Sequence, residues 1–338
     1  MKELIVHSAA KVNLTLDVIS RRRDGYHELQ SVVHAVGLWD TLAFDFEANR
    51  HHKTAITVGC NDQTLANENN LCLKAARAWL EAVQNKGHNH PVYCHIQLEK
   101  RIPHGAGLGG GSGNAAATLA AFNKHHREVL NESELLRVAA KIGADVPFFL
   151  MGGAALMEGI GDRLSPLPAL DGWLVIVQGA QTLSTPAVYG AWDEMNEDSR
   201  RATPIMLEAL GDTELRGMGM TLEDLTRAPL QRVDVAPAHL KSVARALGND
   251  LQLAAQTLLP DLQAMAALLR ATGALGVQMT GSGSAVFGLF ENESEAKQAT
   301  QFIRVRKQKG KLDLPFVEAA PFCREALRFE ESLRFEES

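Results

Sequence analysis

From Pro103 to Asn114 the chain reads Pro-His-Gly-Ala-Gly-Leu-Gly-Gly-Gly-Ser-Gly-Asn, so that Gly105, Gly107, Gly109, Gly110 and Gly111 precede Ser112. Glycine serves where backbone must take φ > 0 or approach a ligand with no Cβ in between. The segment that follows, Ala115–Phe122, has high helix propensity. A glycine loop feeding a helix start offers unpaired N–H groups and the positive end of a helix dipole to one spot, as a phosphate requires. The loop therefore predicts a nucleotide phosphate site.

Two familiar glycine patterns do not account for it. A phosphate loop of the G-x-x-x-x-G-K-[ST] type needs a Lys before Ser112, and none is there. Gly105-x-Gly107-x-x-Gly110 has the letters of the dinucleotide fingerprint, which also needs an acid ending a second strand ~20 residues on. Glu128 is near that distance, but Phe122–Glu128 is too polar for a buried strand. A flexible linker would have polar flanks, whereas this loop joins an alternating segment to a strong helix.

Two charged residues stand in apolar surroundings. Asp145 precedes Val-Pro-Phe-Phe, and Lys11 lies in an otherwise apolar first strand region. Each demands a partner if buried. Taken alone, they read equally as a catalytic pair or as a structural salt bridge. Tyr26 and His27 follow the turn signal Asp24-Gly25 and can leave the core, although such a pair after a turn is also ordinary.

The elements that must position these groups mix strands and helices without regular alternation, which predicts an α+β fold in two halves. Leu4–Asp17 reads as strands around a Ser-Ala-Ala-Lys turn, and Thr41–Phe46 and Tyr93–Leu98 alternate as strands. Asn69 or Asn70 caps a helix running to Ala82, and helices are expected over Ala115–His126 and over Glu132–Ile142, the latter closed by Gly143. Strand, turn and strand follow over Ala154–Leu164, then a buried strand from Trp173 to Val177. Helical patterns recur from Thr185, Asn249, Asp261 and Glu293, with the turn Gly281-Ser282-Gly283-Ser284 and a strand at Ala285–Phe290. No boundaries are assigned within Glu194–Leu225. At the end, LRFEES occurs twice in tandem from Leu327, and a frayed terminus is expected there.

With 338 residues, 46% hydrophobic and 22% charged, the composition is that of a soluble globular protein of about two domains. A net charge of −6 argues against general nucleic-acid binding, which uses a basic face. Arg21-Arg22-Arg23 and Lys100-Arg101 are local basic clusters that suit either a small phosphorylated ligand or solvent. Cys60, Cys72, Cys94 and Cys323 show no metal-like spacing and read as reduced thiols of a cytoplasmic protein. The pairs His51-His52 and His125-His126 read as surface residues. The N-terminus lacks a signal-peptide core, and the longest apolar stretch is broken at Gly152-Gly153, short of the ~18 residues of a membrane span.

Pro103-x-x-x-Gly107-Leu108-Gly109-Gly110-Gly111-Ser112 ahead of an Ala-rich helix resembles the second motif of the GHMP kinase superfamily, a loop that wraps ATP phosphates. Ala9–Leu16 resembles its first motif and Met279–Ser284 its third. Arg23-Asp24-Gly25-Tyr26-His27-Glu28-Leu29, together with Gly143–Phe149 and Glu158-Gly159-x-Gly161, is similar to segments of the branch that phosphorylates 4-diphosphocytidyl-2-C-methyl-D-erythritol. Two departures are Ala9, where the family has Pro, and Gly113, where a second Ser is common.

The resemblance implies a two-domain GHMP fold. A half like domain 2 of ribosomal protein S5 would span 1–163, a ferredoxin-like half 164–322, and a poorly ordered tail 323–338. It implies transfer of the ATP γ-phosphoryl group, with Mg²⁺ and without a covalent phosphoenzyme, to the substrate 2-hydroxyl. Lys11 and Asp145 become the catalytic pair at that hydroxyl, with Asp145 as base. Asn70, Lys100, Pro103, Gly105, Gly107, Leu108, Gly109, Gly110, Gly111 and Ser112 fall on the ATP side, with Ser112 as a Mg²⁺ contact. Asn13, Tyr26, His27, Thr185 and Tyr189 fall with Asp145 on the substrate side, Tyr26 stacking on cytosine and His27 bonding its edge. Read by themselves, Asn70 is a helix cap, Lys100 a solvated side chain and Ser112 a cap. The implied partners are ATP and the cytidine diphosphate substrate, with no nucleic acid or membrane, in a monomer or weak homodimer. Another GHMP small-alcohol kinase (homoserine or mevalonate type) and a nucleotide-binding sensor are the alternatives.

Overall fold

The computed structural model describes residues 2–47, 53–88, 91–195, 201–211, 240–307 and 312–333. His51-His52 and parts of the Glu194–Leu225 stretch lie outside them.

The first sheet contains β1 (Lys2–Asn13), β2 (Thr15–Arg21), β3 (His27–Glu47), β4 (Ala55–Cys60), β5 (Tyr93–Glu99), β6 (Ala154–Gly159) and β7 (Arg163–Leu167). Two strands from far along the chain complete it: β9 (Gly248–Asn249) parallel to β2, and β13 (Leu327–Leu333) antiparallel to β1. The second sheet is antiparallel, in the order β10 (Val277–Met279), β11 (Val286–Phe290), β8 (Trp173–Gln178), β12 (Phe316–Pro321). This is the expected α+β architecture.

The long strand β3 pairs with β1, β2, β5 and β6 and is the spine of the first sheet. Along β5, Cys94, Ile96 and Leu98 point inward at every second position, so one face is core and the other solvent. Four helices cover that core: α1 (Leu71–Gln84), α2 (Gly110–His125), α3 (Glu132–Ile142) and α4 (Val146–Met151). Trp79 of α1, Phe122 of α2 and Phe148 and Phe149 of α4 meet Phe44 of β3 in one cluster. Asn70 caps α1 by accepting the Cys72 N–H, and Asn131 with Glu134 forms a capping box on α3. Further along are α5 (Thr185–Met195), α6 (Ala202–Gly211), α7 (Leu240–Ala246), α8 (Leu251–Leu258), α9 (Asp261–Arg270) and α10 (Glu293–Lys307); α9 and α10 pack on the second sheet, α5 packs on α8, and α6, with α7 beside it, packs against β2 and β3 of the first. Among the described residues no helix is long and apolar enough to cross a membrane.

Five details differ from the sequence expectation. The Ser8–Lys11 segment is no turn: β1 runs through it, with a bulge between Ala9 and Ala10 against β3, and the chain reverses only at Leu14. Ser8, Ala9 and Ala10 are small enough to be fully buried there. His27–Glu47 is one continuous strand, of which the alternation marked only Thr41–Phe46. The α2 helix begins at Gly110, so the last glycines of the loop are already helical. β7 pairs with β6, so a division at 163/164 would cut a strand of the first sheet. The tail expected to be poorly ordered in fact holds a strand: Leu327–Leu333 pairs with β1 from Leu327↔Ser8 to Leu333↔Lys2. Its ladder satisfies β1 backbone groups that would otherwise form an open sheet edge.

The cysteines are all buried and free. His125 is exposed as expected, but its ring stacks on Phe46 at 3.8 Å, and His126 is half-buried against Trp79.

Candidate active site

The chain leaves β5 at Lys100, crosses the glycine loop and enters α2. Gly105, Gly107 and Gly109 take φ of +67°, +76° and +70°, the left-handed region that disfavours a Cβ. Gly109 is the N-cap of α2 and no side chain caps that end, so first-turn N–H groups are left for a ligand. Packing demands glycine as strongly as binding does. A Cβ on Gly109 would lie 2.8 Å from the Phe149 ring and 2.9 Å from Lys11 Cγ, and one on Gly107 would lie 2.3 Å from the Thr280 carbonyl oxygen. The loop is pinned on both sides: the Lys11 N–H donates to the Leu108 carbonyl at 2.9 Å, and the Ala285 N–H to the Ala106 carbonyl at 3.1 Å.

A cavity of about 450 Å³ borders the loop, lined by Asn70, Lys100, Pro103, Gly105, Gly107–Ser112 and their neighbours. The expected ATP-side residues are thus brought together, though not all in the same capacity. Leu108 is buried and its side chain belongs to the core. Lys100 is not a solvated side chain: its ammonium is ion-paired with the fully buried Asp40 and donates to Asn114 Oδ1 at 3.2 Å. Asp40 also accepts the N–H groups of Arg101 and Ile102 at 2.7 and 2.9 Å, so this cluster fixes the strand end from which the loop starts. Sequence reasoning passed over Asp40, which lies in a strand that also carries Glu28, Asp45 and Glu47, so its spacing does not single it out. Gly113 also has a physical account, because a Cβ there would lie 2.4 Å from the buried Ser8 hydroxyl.

Lys11 and Asp145, 134 positions apart by number, come together: Nζ lies 3.5 Å from Oδ2. The lysine is buried in β1, while the Asp145 side chain is 33% exposed at the start of α4 and makes no cap hydrogen bond of its own. Lys11 Nζ also donates to Asn13 Oδ1 at 2.6 Å. Asn13 is held in turn, donating through Nδ2 to Ser31 Oγ at 2.7 Å and through its N–H to Thr280 Oγ1 at 3.0 Å. Thr280, at the start of the Gly281–Ser284 turn, thus ties the turn to the Lys11 cluster.

A second cavity, of about 640 Å³, is lined by Lys11, Asn13, Tyr26, His27, Asp145, Thr185 and Tyr189 among others. Gly107 and Gly109 line both cavities, which places the ion pair beside their shared wall. Tyr26 is 65% exposed. The His27 ring stacks on Tyr189 at 4.7 Å and meets the edge of Trp192 at 5.7 Å. Burial pushes the Tyr189 hydroxyl up to about 12, with the nearby Asp145 charge adding to it, so that group stays protonated. Thr185 Oγ1 and Ser282 Oγ share a hydrogen bond at 2.8 Å. Asp193, 2.7 Å from His27 Nε2, drew no attention in the sequence, and Arg21, 3.1 Å from Asp193, did so only as part of a basic cluster.

The glycine cradle and open helix end fit a triphosphate. Among the described residues no group of three His, Cys, Asp or Glu side chains is placed to hold a metal ion. Mg²⁺ in nucleotide sites commonly keeps waters and takes one or two protein groups plus phosphate oxygens, and the partly exposed Ser112 hydroxyl in the first turn of α2 is compatible with that.

The family model for the GHMP kinases N terminal domain matches residues 70–153, and that for the GHMP kinases C terminal matches residues 235–306. The chain is 34% identical over 306 residues to the 4-diphosphocytidyl-2-C-methyl-D-erythritol kinase of Alkaliphilus metalliredigens, covering 90% of this chain and 94% of that one. It is 37% identical over 298 residues to the protein of the same name from Syntrophus aciditrophicus, covering 88% and 93%. A crystal structure of 4-(cytidine 5'-diphospho)-2C-methyl-D-erythritol kinase superposes with a TM-score of 0.70 at 31% identity, over 94% of this chain and 98% of that one. A homoserine kinase from Cytophaga hutchinsonii superposes with a TM-score of 0.69 at 16% identity over 97% of each chain, a likeness of fold.

Proposed function

The chain belongs to the GHMP kinase superfamily and, within it, to the 4-diphosphocytidyl-2-C-methyl-D-erythritol kinases, and we propose that it transfers the γ-phosphoryl group of ATP to the 2-hydroxyl of 4-diphosphocytidyl-2-C-methyl-D-erythritol in the cytoplasm. The observation that carries this reading is the Lys11–Asp145 ion pair beside the wall shared by the glycine-loop cavity and the Tyr26–His27 cavity. Phosphoryl transfer needs positioning and charge stabilisation more than covalent chemistry. Asp145 is the base: as the substrate oxygen bonds to the γ-phosphorus and the bond to the bridging oxygen breaks, its carboxylate takes the hydroxyl proton and ADP leaves. Lys11, 3.5 Å away, keeps that carboxylate turned toward the hydroxyl, and its positive charge faces the transferring group. Asn13, held by Ser31 and Thr280, fixes the ammonium.

First-turn N–H groups of α2 and the loop from Gly105 to Ser112 hold the phosphates, with Pro103, Asn70 and Lys100 shaping the nucleotide side. Mg²⁺, when bound, neutralises phosphate charge, and Ser112 is the residue that would contact it. Tyr26 stacks on the pyrimidine, and His27, Thr185 and Tyr189 line the rest of the substrate site. The N-terminal half carries the nucleotide loop and the C-terminal half closes the cleft.

ADP release with the cytidyl alcohol, and its absence with homoserine and mevalonate, tests the substrate assignment. Asp145→Asn is expected to lose roughly 10²- to 10⁴-fold in kcat while an ATP analogue still binds. Near-normal turnover in that variant refutes the base assignment.

A further inference from the structure

The carboxylate of Asp193 bridges two groups near Tyr26. Oδ1 lies 2.7 Å from His27 Nε2, and Oδ2 lies 3.1 Å from the Arg21 guanidinium. Tyr189, Trp192 and Asp193 stand at spacings of three and four along α5 and so share one helix face. That face surrounds the imidazole: Tyr189 stacks on it, Trp192 meets it edge-on and Asp193 takes its Nε2. The His27 side chain is only 7% exposed yet lines the substrate cavity. An ionised carboxylate only accepts hydrogen bonds, so Nε2 carries the proton. Among the described residues Nδ1 has no hydrogen-bond partner, and it is the ring nitrogen left to meet a ligand.

We infer that Asp193, steadied by Arg21, is a positioning residue for recognition of the base: it fixes the orientation and the proton of His27 so that Nδ1 is presented to the edge of a pyrimidine. The inference rests on the substrate reading above, which puts a cytidyl group in this cavity. Arg21 is the lesser partner because its side chain is 61% exposed and its ion pair is solvent-screened.

The test compares wild type with Asp193→Asn, Asp193→Ala, Arg21→Ala, His27→Ala and the His27→Ala/Asp193→Ala double variant. Losing a hydrogen bond to a charged group predicts a rise of roughly 10- to 100-fold in KM for the cytidyl substrate in Asp193→Ala, and a smaller rise in Asp193→Asn, whose Oδ1 still accepts the Nε2 proton without the charge. In the same variants kcat and the KM for ATP stay within about twofold. Arg21→Ala raises the cytidyl KM by no more than about fivefold. The double variant is no worse than His27→Ala, because both residues act through one ring. Nitrogen NMR of the His27 ring without substrate shows Nε2 protonated in wild type and a mixture of tautomers in Asp193→Ala, a signature that mere loss of packing would not produce. An unchanged cytidyl KM, equal rises in both KM values, additivity in the double variant or a bare Nε2 in wild type overturns the inference. If wild type does not turn over the cytidyl alcohol at all, the substrate reading falls, while the ring spectrum still decides whether Asp193 holds His27.

Discussion

Replacing Lys11 by Met separates what the buried ion pair does for folding from what it does for the reaction. Met retains most of the length and volume of the lysine stem, so the contact beneath Gly109 survives. At the 3.5 Å separation, two unit charges at an effective dielectric of ~20 attract by about 5 kcal/mol. Against this stands the desolvation of an ammonium only 6% exposed and of a carboxylate 33% exposed, a cost of several kcal/mol for a buried ion. The two terms are of one size, so the pair contributes little net stability. After the substitution Asp145 retains access to water, and Asn13 Oδ1 retains the Thr280 hydroxyl at 3.4 Å. The unfolding free energy is therefore expected to move by less than about 2 kcal/mol. Catalysis has no such cancellation, because the positive charge is already in place when negative charge shifts in the transition state. Losing one preorganised electrostatic group costs roughly 3–4 kcal/mol of barrier, or roughly 10²- to 10³-fold in kcat. Urea denaturation and ADP release measured on the same preparation give both numbers. A kcat within about tenfold of wild type, or a loss of stability as large as the loss of barrier stabilisation, refutes the reasoning.

Three further outcomes are expected. Gly107→Ala places a Cβ 2.3 Å from the Thr280 carbonyl oxygen and 3.1 Å from that of Gly283, at φ +76°. Both obstacles are backbone, so stability falls by roughly 1–3 kcal/mol, the glycine loop shifts and the KM for ATP rises; an unchanged melting temperature and KM would contradict the assigned packing. Tyr26→Ala removes a ring that is 65% exposed, so stability holds while loss of base stacking, about 1–3 kcal/mol, raises the cytidyl KM roughly 5- to 150-fold; if the KM for ATP rises equally, the stacking role fails. Burial pushes the His34 imidazole down to about 4 from 6.5, and its Nε2 accepts the Leu170 N–H while Nδ1 donates to the Ala35 carbonyl, as suits a neutral ring. Its folded pKa lies below its unfolded one, so the unfolded chain takes up the proton first. Stability present above pH 6.5 is thus lost as pH falls toward 4, by roughly 3 kcal/mol in all. Urea midpoints at pH about 7.5 and about 5 should show a weaker pH dependence in His34→Gln, and equal slopes would rule His34 out as the cause.

Much of the candidate site was legible because its signals are local. The glycine loop, the Asn70 cap, the Glu132–Ile142 helix and the alternation of Tyr93–Leu98 each depend on residues within a few positions of one another. Other features were misread where pairing partners decide. Ser8–Lys11 looked like a turn, but the register of β3 draws it into a bulged strand. The LRFEES tail looked frayed, but the open edge of β1 lies more than three hundred positions away in the chain and orders its first copy.

The sequence by itself determined the chemistry that is available: a phosphate-cradling loop, a lysine and an aspartate that cannot both be buried alone, and an aromatic-histidine pair beyond a turn. Only the tertiary structure decided who meets whom. It sends Lys11 to Asp145, diverts Lys100 to the unheralded Asp40 and sets Asp193 behind His27. A charge or ring is marked by its own neighbours in the chain, but the partner that stabilises it is chosen by sheet register and helix packing, which spacing along the chain does not encode.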